Sequence, residues 1–369
     1  MYATEDDLEQ WALGELQELG FAHLPGADLS PEAETPARQS FHDVLLLPRL
    51  EATIRRLNPD LPPAAVQTVL NRVRDTEYAG DLISENRRIH ALLVGGVPVS
   101  WDEGGDERNA VARLVDWEAG GNDWLAVNQF EVVGQTARRP DIVLFLNGMP
   151  IVMIELKGTE SGTLKDAYNQ VETYKAQVPA LFRTSAFNVI SEGVTARYGS
   201  ISANLDRFMR WRTVDGETLV EDGTDLALHT LIHGLLAPSV ILEMMRFCAV
   251  FEDEGAGPIK KIAGYHQFHA VRKAVGTILR ARDLDGRGGV MWHTQGSGKS
   301  LLMAFLAGRL MRQPELENPT IVVITDRNDL DNQLCATFAR CAVLFGEDPE
   351  QAEDVGDLRR KLNGRKVGA

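Results

Sequence analysis

The chain is poor in cysteine. Cys248, Cys335 and Cys341 are scattered over 369 residues and form no CxxC pair. That excludes a disulfide framework, argues against a structural zinc site and fits a reducing, cytoplasmic setting. Long apolar runs are also missing. The longest, Thr230–Leu242 and Leu301–Gly308, are short and interrupted, against the ~20 consecutive apolar residues of a membrane span. The N-terminal MYATEDDLEQW is acidic and has no apolar centre, so it does not read as a secretory signal. There is no internal repeat and no low-complexity run. Basic residues are outnumbered, 38 to 53, for a net charge of −15, a poor balance for a nucleic-acid binder. The excess is uneven, however: residues 1–60 hold twelve acids and four arginines. A phosphate-binding surface elsewhere is therefore not excluded, because local charge governs it.

What is present is globular. Hydrophobic residues make up 44% and charged residues 25%, and at ~150 residues per domain the length predicts two domains or three. Residues 39–95 read as largely helical. Val66, Val69, Leu70 and Val73 share one helix face, which Pro62-Pro63 would start. Strands are predicted at Ala126–Val133, Ile142–Leu146, Pro150–Leu156, Phe187–Ser191 and Arg197–Ile201, with a helix at Leu164–Gln177. Asn147-Gly148 is a type I′ hairpin signal. Ala27–Ala37, Gly104–Arg108 and Glu252–Pro258 read as loops, and Pro238 as a helix start. Beyond residue 262 the predicted order is helix (266–280), strand (289–293), glycine loop, helix (299–312), strand (321–325), helix. That alternation predicts a parallel sheet covered by helices.

The glycine loop is Trp292-His-Thr-Gln-Gly-Ser-Gly-Lys-Ser300. Placed between a strand and a helix, it suits a phosphate-binding loop, where backbone N–H groups and the helix N-terminus face phosphate oxygens. Lys299 would reach the β- and γ-phosphates and Ser300 would ligate Mg²⁺. The strict pattern asks for Gly at 293, and this chain has His293. The ending GSGKS is intact, and the segment resembles superfamily 2 helicases and translocases, whose first position is relaxed. Gln267, about 30 residues upstream, resembles the Q-motif glutamine that reads adenine, and Ile321–Leu334 resembles helicase motif Ia. No acidic Walker B strand follows, so the sequence is expected to cover only part of a first motor lobe. Asp253-Glu254 precedes the loop and reads as a solvated acidic pair. His266 and His269 lack further ligands for a metal set.

The second constellation starts at Pro140-Asp141 and ends at Glu155-Leu-Lys157, with thirteen residues between the two acids. Strand residues two apart share a face, so Glu155 and Lys157 project together while Leu156 points into the core. The Asn147-Gly148 turn returns the second strand beside the first and can bring Asp141 level with Glu155. Two carboxylates and an ammonium on apolar strands are unfavourable unless compensated. A divalent ion held by Asp141 and Glu155 would compensate them, and Lys157 could orient the attacking water. Gln170 and Tyr174 follow on one helix face at i, i+4. Glu85, in Ile83-Ser-Glu-Asn-Arg-Arg, is a candidate third metal ligand from an earlier helix, weighed against a surface ion pair.

PD-x13-E-x-K resembles the PD-(D/E)xK nuclease superfamily, and QxxxY resembles its RecB-like members. The order PD-ExK, QxxxY, Q-motif, HTQGSGKS, TDRNDLDNQL resembles the R subunit of type I restriction enzymes over roughly residues 80–340. The resemblance implies an α/β chain with an N-terminal PD-(D/E)xK endonuclease-like domain and a partial RecA-like P-loop helicase domain. Residues 1–215 would hold the nuclease region (core about 80–205), 216–262 a linker, and 263–369 the incomplete first lobe. It implies Asp141, Glu155 and Lys157 as the catalytic centre, supported by Gln170 and Tyr174. Gln267, Thr294, Gln295, Gly296, Ser297, Gly298, Lys299 and Ser300 would form the nucleotide site. Mg²⁺ and ATP are the implied cofactors. The implied partners are double-stranded DNA and the methyltransferase and specificity subunits of a cytoplasmic restriction complex, with no membrane. Rival readings are another nuclease–helicase fusion in repair or defence, and a non-catalytic DNA- or ATP-binding module with a decayed nuclease fold.

Overall fold

The structure, a computed structural model, describes residues 4–364 apart from 79, 119, 159–161, 221–226, 254, 256, 327 and 347. The chain divides into two compact units, Met1–Met245 and Arg246–Ala369.

In the first unit, α1 (Glu5–Glu18), capped by Thr4, leads into β1 (Ala22–Pro25). Three helices follow, α2 (Leu47–Leu57), α3 (Pro63–Arg74) and α4 (Leu82–Gly95). The proline pair starts α3 as expected, because Pro at N1 loses no helical hydrogen bond. Next comes a hairpin of β2 (Val97–Glu103) and β3 (Asp106–Ala112). The Gly104–Arg108 segment expected as a loop is mostly its second strand; only Gly104 and Gly105 turn, both at positive φ.

Strands β4 (Trp124–Asn128), β5 (Val132–Val133), β6 (Ala137–Arg138), β7 (Ile142–Leu146) and β8 (Met149–Leu156) lead to α5 (Leu164–Gln177), β9 (Phe187–Ser191) and β10 (Ala196–Gly199). The single strand expected over 126–133 is broken between β4 and β5, where Gln129 adopts φ 51°. The main sheet has six strands in the order β1-β4-β7-β8-β9-β10. Every residue of β7 and β8 is buried, as strands covered on both faces require. The sheet therefore also draws on β1, N-terminal to residue 80. That four-residue strand, Ala-His-Leu-Pro, is too short to show an alternation. Helix α5 joins β8 to its parallel neighbour β9, a βαβ unit.

The turn between β7 and β8 forms as expected, with Asn147 at φ 55° and Gly148 at φ 82°. A Cβ at 148 would meet the Leu46 carbonyl at 2.5 Å, so glycine is required by contact as well as by φ. Within the segment 216–262, expected as a linker with a helix starting at Pro238, lie two short helices, α6 (Ala227–Leu235) and α7 (Pro238–Phe247), the second beginning at Pro238 as expected. They are apolar, bent by 69° relative to each other, and buried through Leu228, Leu231, Ile232, Ile241 and Met244. Among the described residues no single helix is long and apolar enough to cross a membrane.

The second unit holds the hairpin β11 (Ala249–Asp253) and β12 (Pro258–Ile262), then α8 (Tyr265–Arg282), α9 (Lys299–Leu310) and α10 (Asn328–Arg340). Glu252, expected in a loop, is a buried strand residue paired with Lys261 at 2.8 Å and Arg340 at 3.1 Å. Asp253 is exposed, and Glu254 lies outside the described residues. The helices fall where expected, but the two strands of the expected parallel sheet do not form. Residues 289–293 and 321–325 are irregular, with Val290 96%, Trp292 82% and Ile324 86% exposed. An extended segment becomes a strand only when a neighbour accepts its backbone hydrogen bonds, and among the described residues no strand pairs with either segment.

Candidate active sites

The β7–β8 register puts Ile142 opposite Ile154, so Asp141 stands beside Glu155 at the open end of the hairpin. Both acids are buried, 6% and 1% exposed, and Leu156 between Glu155 and Lys157 is fully buried. Asp141 Oδ2 accepts a hydrogen bond from Leu156 N at 2.7 Å, and Lys157 Nζ donates to Glu155 Oε1 at 2.9 Å. Among the described residues, Glu155 Oε2 is buried with no hydrogen-bond partner. Burial drives both carboxyls up, Asp141 to about 7 and Glu155 to about 8, and the Asp141 charge raises Glu155 further. Burial alone would lower Lys157, but the Glu155 carboxylate outweighs it and keeps the ammonium protonated. A buried carboxylate pair with an unpartnered oxygen suits a divalent cation, which would favour the ionised forms of both acids.

Gln170 and Tyr174 hold the backbone beside this pair. Gln170 Nε2 donates to Tyr174 Oη at 3.0 Å, and Tyr174 Oη donates to the Arg139 carbonyl at 3.3 Å, two residues before Asp141. Tyr174 is 2% exposed, and burial together with the Glu155 charge raises its hydroxyl. The aliphatic stem of Lys157 packs on Gly162, where an added Cβ would sit 3.1 Å from it.

Glu85 does not join the cluster. Its carboxylate accepts from Arg88 at 2.6 Å, from Arg183 at 2.8 Å and from the backbone of Glu77 and Tyr78. Burial would raise this carboxyl, but the two guanidiniums hold it down at about 2. Arg88, one of the two arginines that follow Glu85, makes the bridge together with Arg183 from far along the chain, and the bridge is buried rather than superficial. Among the described residues, the acids that do approach come from α1. Glu5 Oε1 lies 3.4 Å from Lys157 Nζ. Glu9, 4% exposed, accepts from Asn128 Nδ2 at 2.9 Å and Gln129 Nε2 at 2.6 Å, and its charge acts on Asp141. Their i, i+4 spacing is visible in the sequence, but nothing there links α1 to a strand end more than a hundred residues later.

In the second unit the glycine loop runs into α9, with Gly296 at φ 81° and Gly298 at φ 75°. Thr294, Gln295 and Gly296 are exposed, and Ser300 is half-buried in the first turn of α9. Lys299 Nζ donates to the carbonyls of His293 at 2.7 Å and Thr294 at 3.0 Å, folding back over the loop. Gln267 is buried; its Nε2 donates to the Gly298 carbonyl at 3.0 Å, and its Oε1 accepts from Gly264 N at 2.9 Å. It therefore braces the loop instead of presenting a free amide edge. His266 Nε2 lies 3.2 Å from the Ser297 carbonyl. Of the segment resembling motif Ia, Arg327 lies outside the described residues, and α10 begins at Asn328.

Residues 2–207 match the family model "Type I restriction enzyme R protein N terminus", and residues 266–368 match "SWI2/SNF2 ATPase". The chain is 42% identical to the type I restriction enzyme HindI endonuclease subunit of Haemophilus influenzae, over 99% of this chain and 35% of that protein. It is 31% identical to the putative type I restriction enzyme MjaIXP endonuclease subunit of Methanocaldococcus jannaschii, over 96% of this chain and 35% of that protein. The chain thus spans about a third of the length of these curated relatives. The mixed α/β fold is that of an R-protein N-terminal domain followed by part of a SWI2/SNF2 ATPase domain, and the chain belongs to the type I restriction enzyme R protein family.

Proposed function

We propose that this chain carries the DNA-cleaving centre and the beginning of the ATP-driven motor of a type I restriction endonuclease. The observation that carries this reading is the meeting of Asp141, Glu155 and Lys157 at the open end of the β7–β8 hairpin, with Glu155 Oε2 buried and unpartnered among the described residues. Asp141 and Glu155 would hold Mg²⁺, with Glu5 and Glu9, whose charges act on Asp141, as candidate further oxygen donors. Held there, Mg²⁺ would supply Lewis-acid polarisation of a phosphate oxygen and lower the pKa of a bound water. Lys157, protonated beside Glu155, directs N–H donors at that water and at charge gathering on the phosphate. Tyr174 and Gln170 act on position: they fix the Arg139 carbonyl and with it the approach of Asp141. The first unit is thus read as a PD-(D/E)xK nuclease domain.

In the second unit, read as the start of a RecA-like lobe, the backbone of Gly296–Gly298 and the α9 N-terminus would receive ATP phosphates. Lys299 would exchange two carbonyls for the β- and γ-phosphates. Ser300 would take Mg²⁺, Thr294 and Gln295 would flank the loop, and Gln267 would hold its shape. The complete enzyme would act in the cytoplasm on double-stranded DNA, together with methyltransferase and specificity subunits that select the target. A decayed nuclease module is disfavoured, because the metal carboxylates and the lysine are all present and adjoining. In the full-length subunit assembled with its partners, Asp141→Ala should abolish Mg²⁺-dependent plasmid cleavage and leave ATP hydrolysis intact. Undiminished cleavage would refute the assignment.

A further inference from the structure

A second cluster of ligating side chains lies in the first unit, and neither constellation above uses it. His229 and His233 stand one turn apart on α6, with ring centroids 4.3 Å from each other. His229 presents Nδ1 and His233 presents Nε2, so two rings from successive turns, tilted 39° to each other, reach a common point. That point is Glu15 on α1, whose Oε2 lies 2.7 Å from each of the two nitrogens. The three ligand atoms lie within 4.8 Å of one another, and Glu15 and His233 side chains are only 16% and 20% exposed. Trp11, one turn before Glu15, flanks the His229 ring at 6.5 Å between centroids.

We propose that Glu15, His229 and His233 form a transition-metal site, filled by Zn²⁺ or a similar borderline divalent ion, that staples α1 to α6. The ligand chemistry sets the metal class: two imidazole nitrogens with one carboxylate suit zinc and its neighbours, whereas Mg²⁺ and Ca²⁺ take oxygen donors. Zinc bonds of ~2.0–2.1 Å in tetrahedral geometry put ligand atoms ~3.3 Å apart. The present 2.7 Å contacts therefore need to open by only a fraction of an ångström. Three protein ligands leave a fourth position for water. The set contains no cysteine, so cysteine spacing does not reveal it, and the His-x3-His spacing meets its third ligand more than two hundred residues upstream. The consequence is positional. Helix α1 also carries Glu5 and Glu9, so a metal at its far end would fix the element that brings these acids to Asp141 and Lys157.

The test is metal binding by the 369-residue chain in excess Mg²⁺, which keeps Asp141 and Glu155 occupied. Zn²⁺ uptake is followed by equilibrium dialysis, and Co²⁺ serves as a spectroscopic probe. We expect about one tight Zn²⁺ per chain and a Co²⁺ visible spectrum of low coordination number, with affinity falling more than ~10-fold in both Glu15→Gln and His233→Gln. Far-ultraviolet circular dichroism of the metal-free variants checks that they are folded. X-ray absorption of the wild-type zinc complex needs no variant and should show two imidazole ligands. Unchanged affinity in folded variants, an all-oxygen first shell, or no tight zinc in the wild type would each overturn the proposal and leave a metal-free hydrogen-bonded trio.

Discussion

Replacing Glu155 by glutamine should stabilise the metal-free protein at alkaline pH, the opposite of the usual result for a buried residue. The Glu155 carboxyl is 1% exposed and is raised from an ordinary 4.5 to about 8, chiefly by burial and then by the Asp141 charge. A raised carboxyl contributes stability that is complete below the unfolded-state value of 4.5. That stability is lost as pH rises through about 8, because the unfolded chain ionises first. Moving the group over that interval corresponds to ~5 kcal/mol between its protonation states. The glutamine amide does not ionise, but it gives up the charged hydrogen bond from Lys157, worth ~2 kcal/mol. The net gain for Glu155→Gln at about pH 8 in chelator is therefore ~2–3 kcal/mol, shrinking to nothing or reversing near pH 5. Urea unfolding followed by tryptophan fluorescence reads this well, since five of the six tryptophans (11, 101, 117, 124 and 211) lie in the first unit. Saturating Mg²⁺ should restore the wild type at about pH 8 and have little effect on the variant. A variant less stable than wild type at both pH values, with no Mg²⁺ effect on either, would refute the reasoning.

Three other substitutions separate the roles assigned above. Glu85→Ala strands two largely buried guanidiniums and should cost ~3 kcal/mol of stability, while leaving Mn²⁺ affinity at Asp141 and Glu155 unchanged by calorimetry. A loss of Mn²⁺ binding without loss of stability would return Glu85 to the metal site. Tyr174→Phe removes the hydrogen bond to the Arg139 carbonyl; stability should drop by ~1 kcal/mol and the cleavage rate of the assembled enzyme should fall, with ATP turnover unaffected. Lys299→Ala should eliminate ATP hydrolysis and the cleavage that depends on translocation, and retained ATPase would place the nucleotide elsewhere.

How far the sequence could be read depended on whether its cues were local. The β7–β8 hairpin, its Asn147-Gly148 turn, α5 and the Pro63 start of α3 are written in contiguous residues and appear where expected. Glu155 and Lys157 also come together as expected, 2.9 Å apart, with Lys157 one residue past the end of β8. Contacts that close over long separations left no such mark. Helix α1 meets β8 by bringing Glu5 to Lys157, and α6 by bringing Glu15 to His229 and His233. An acid followed by two arginines fits an ion pair better than a metal ligand, and at Glu85 the ion pair forms, through Arg88 nearby and Arg183, which the local sequence does not reveal. In the second unit, periodicity located the helices correctly. It could not supply the neighbouring strands that 289–293 and 321–325 need before they become strands themselves.

The central claim is that one chain holds a phosphodiester-cleaving centre and an ATP site that can be separated by mutation. The most direct measurement compares wild type with Lys157→Ala in the full-length subunit assembled with its partners, following ATP hydrolysis and plasmid cleavage in the same Mg²⁺-containing reaction. Cleavage should disappear while ATP hydrolysis continues at the wild-type rate. Persistence of both would contradict the claim and leave the β7–β8 hairpin as scaffold.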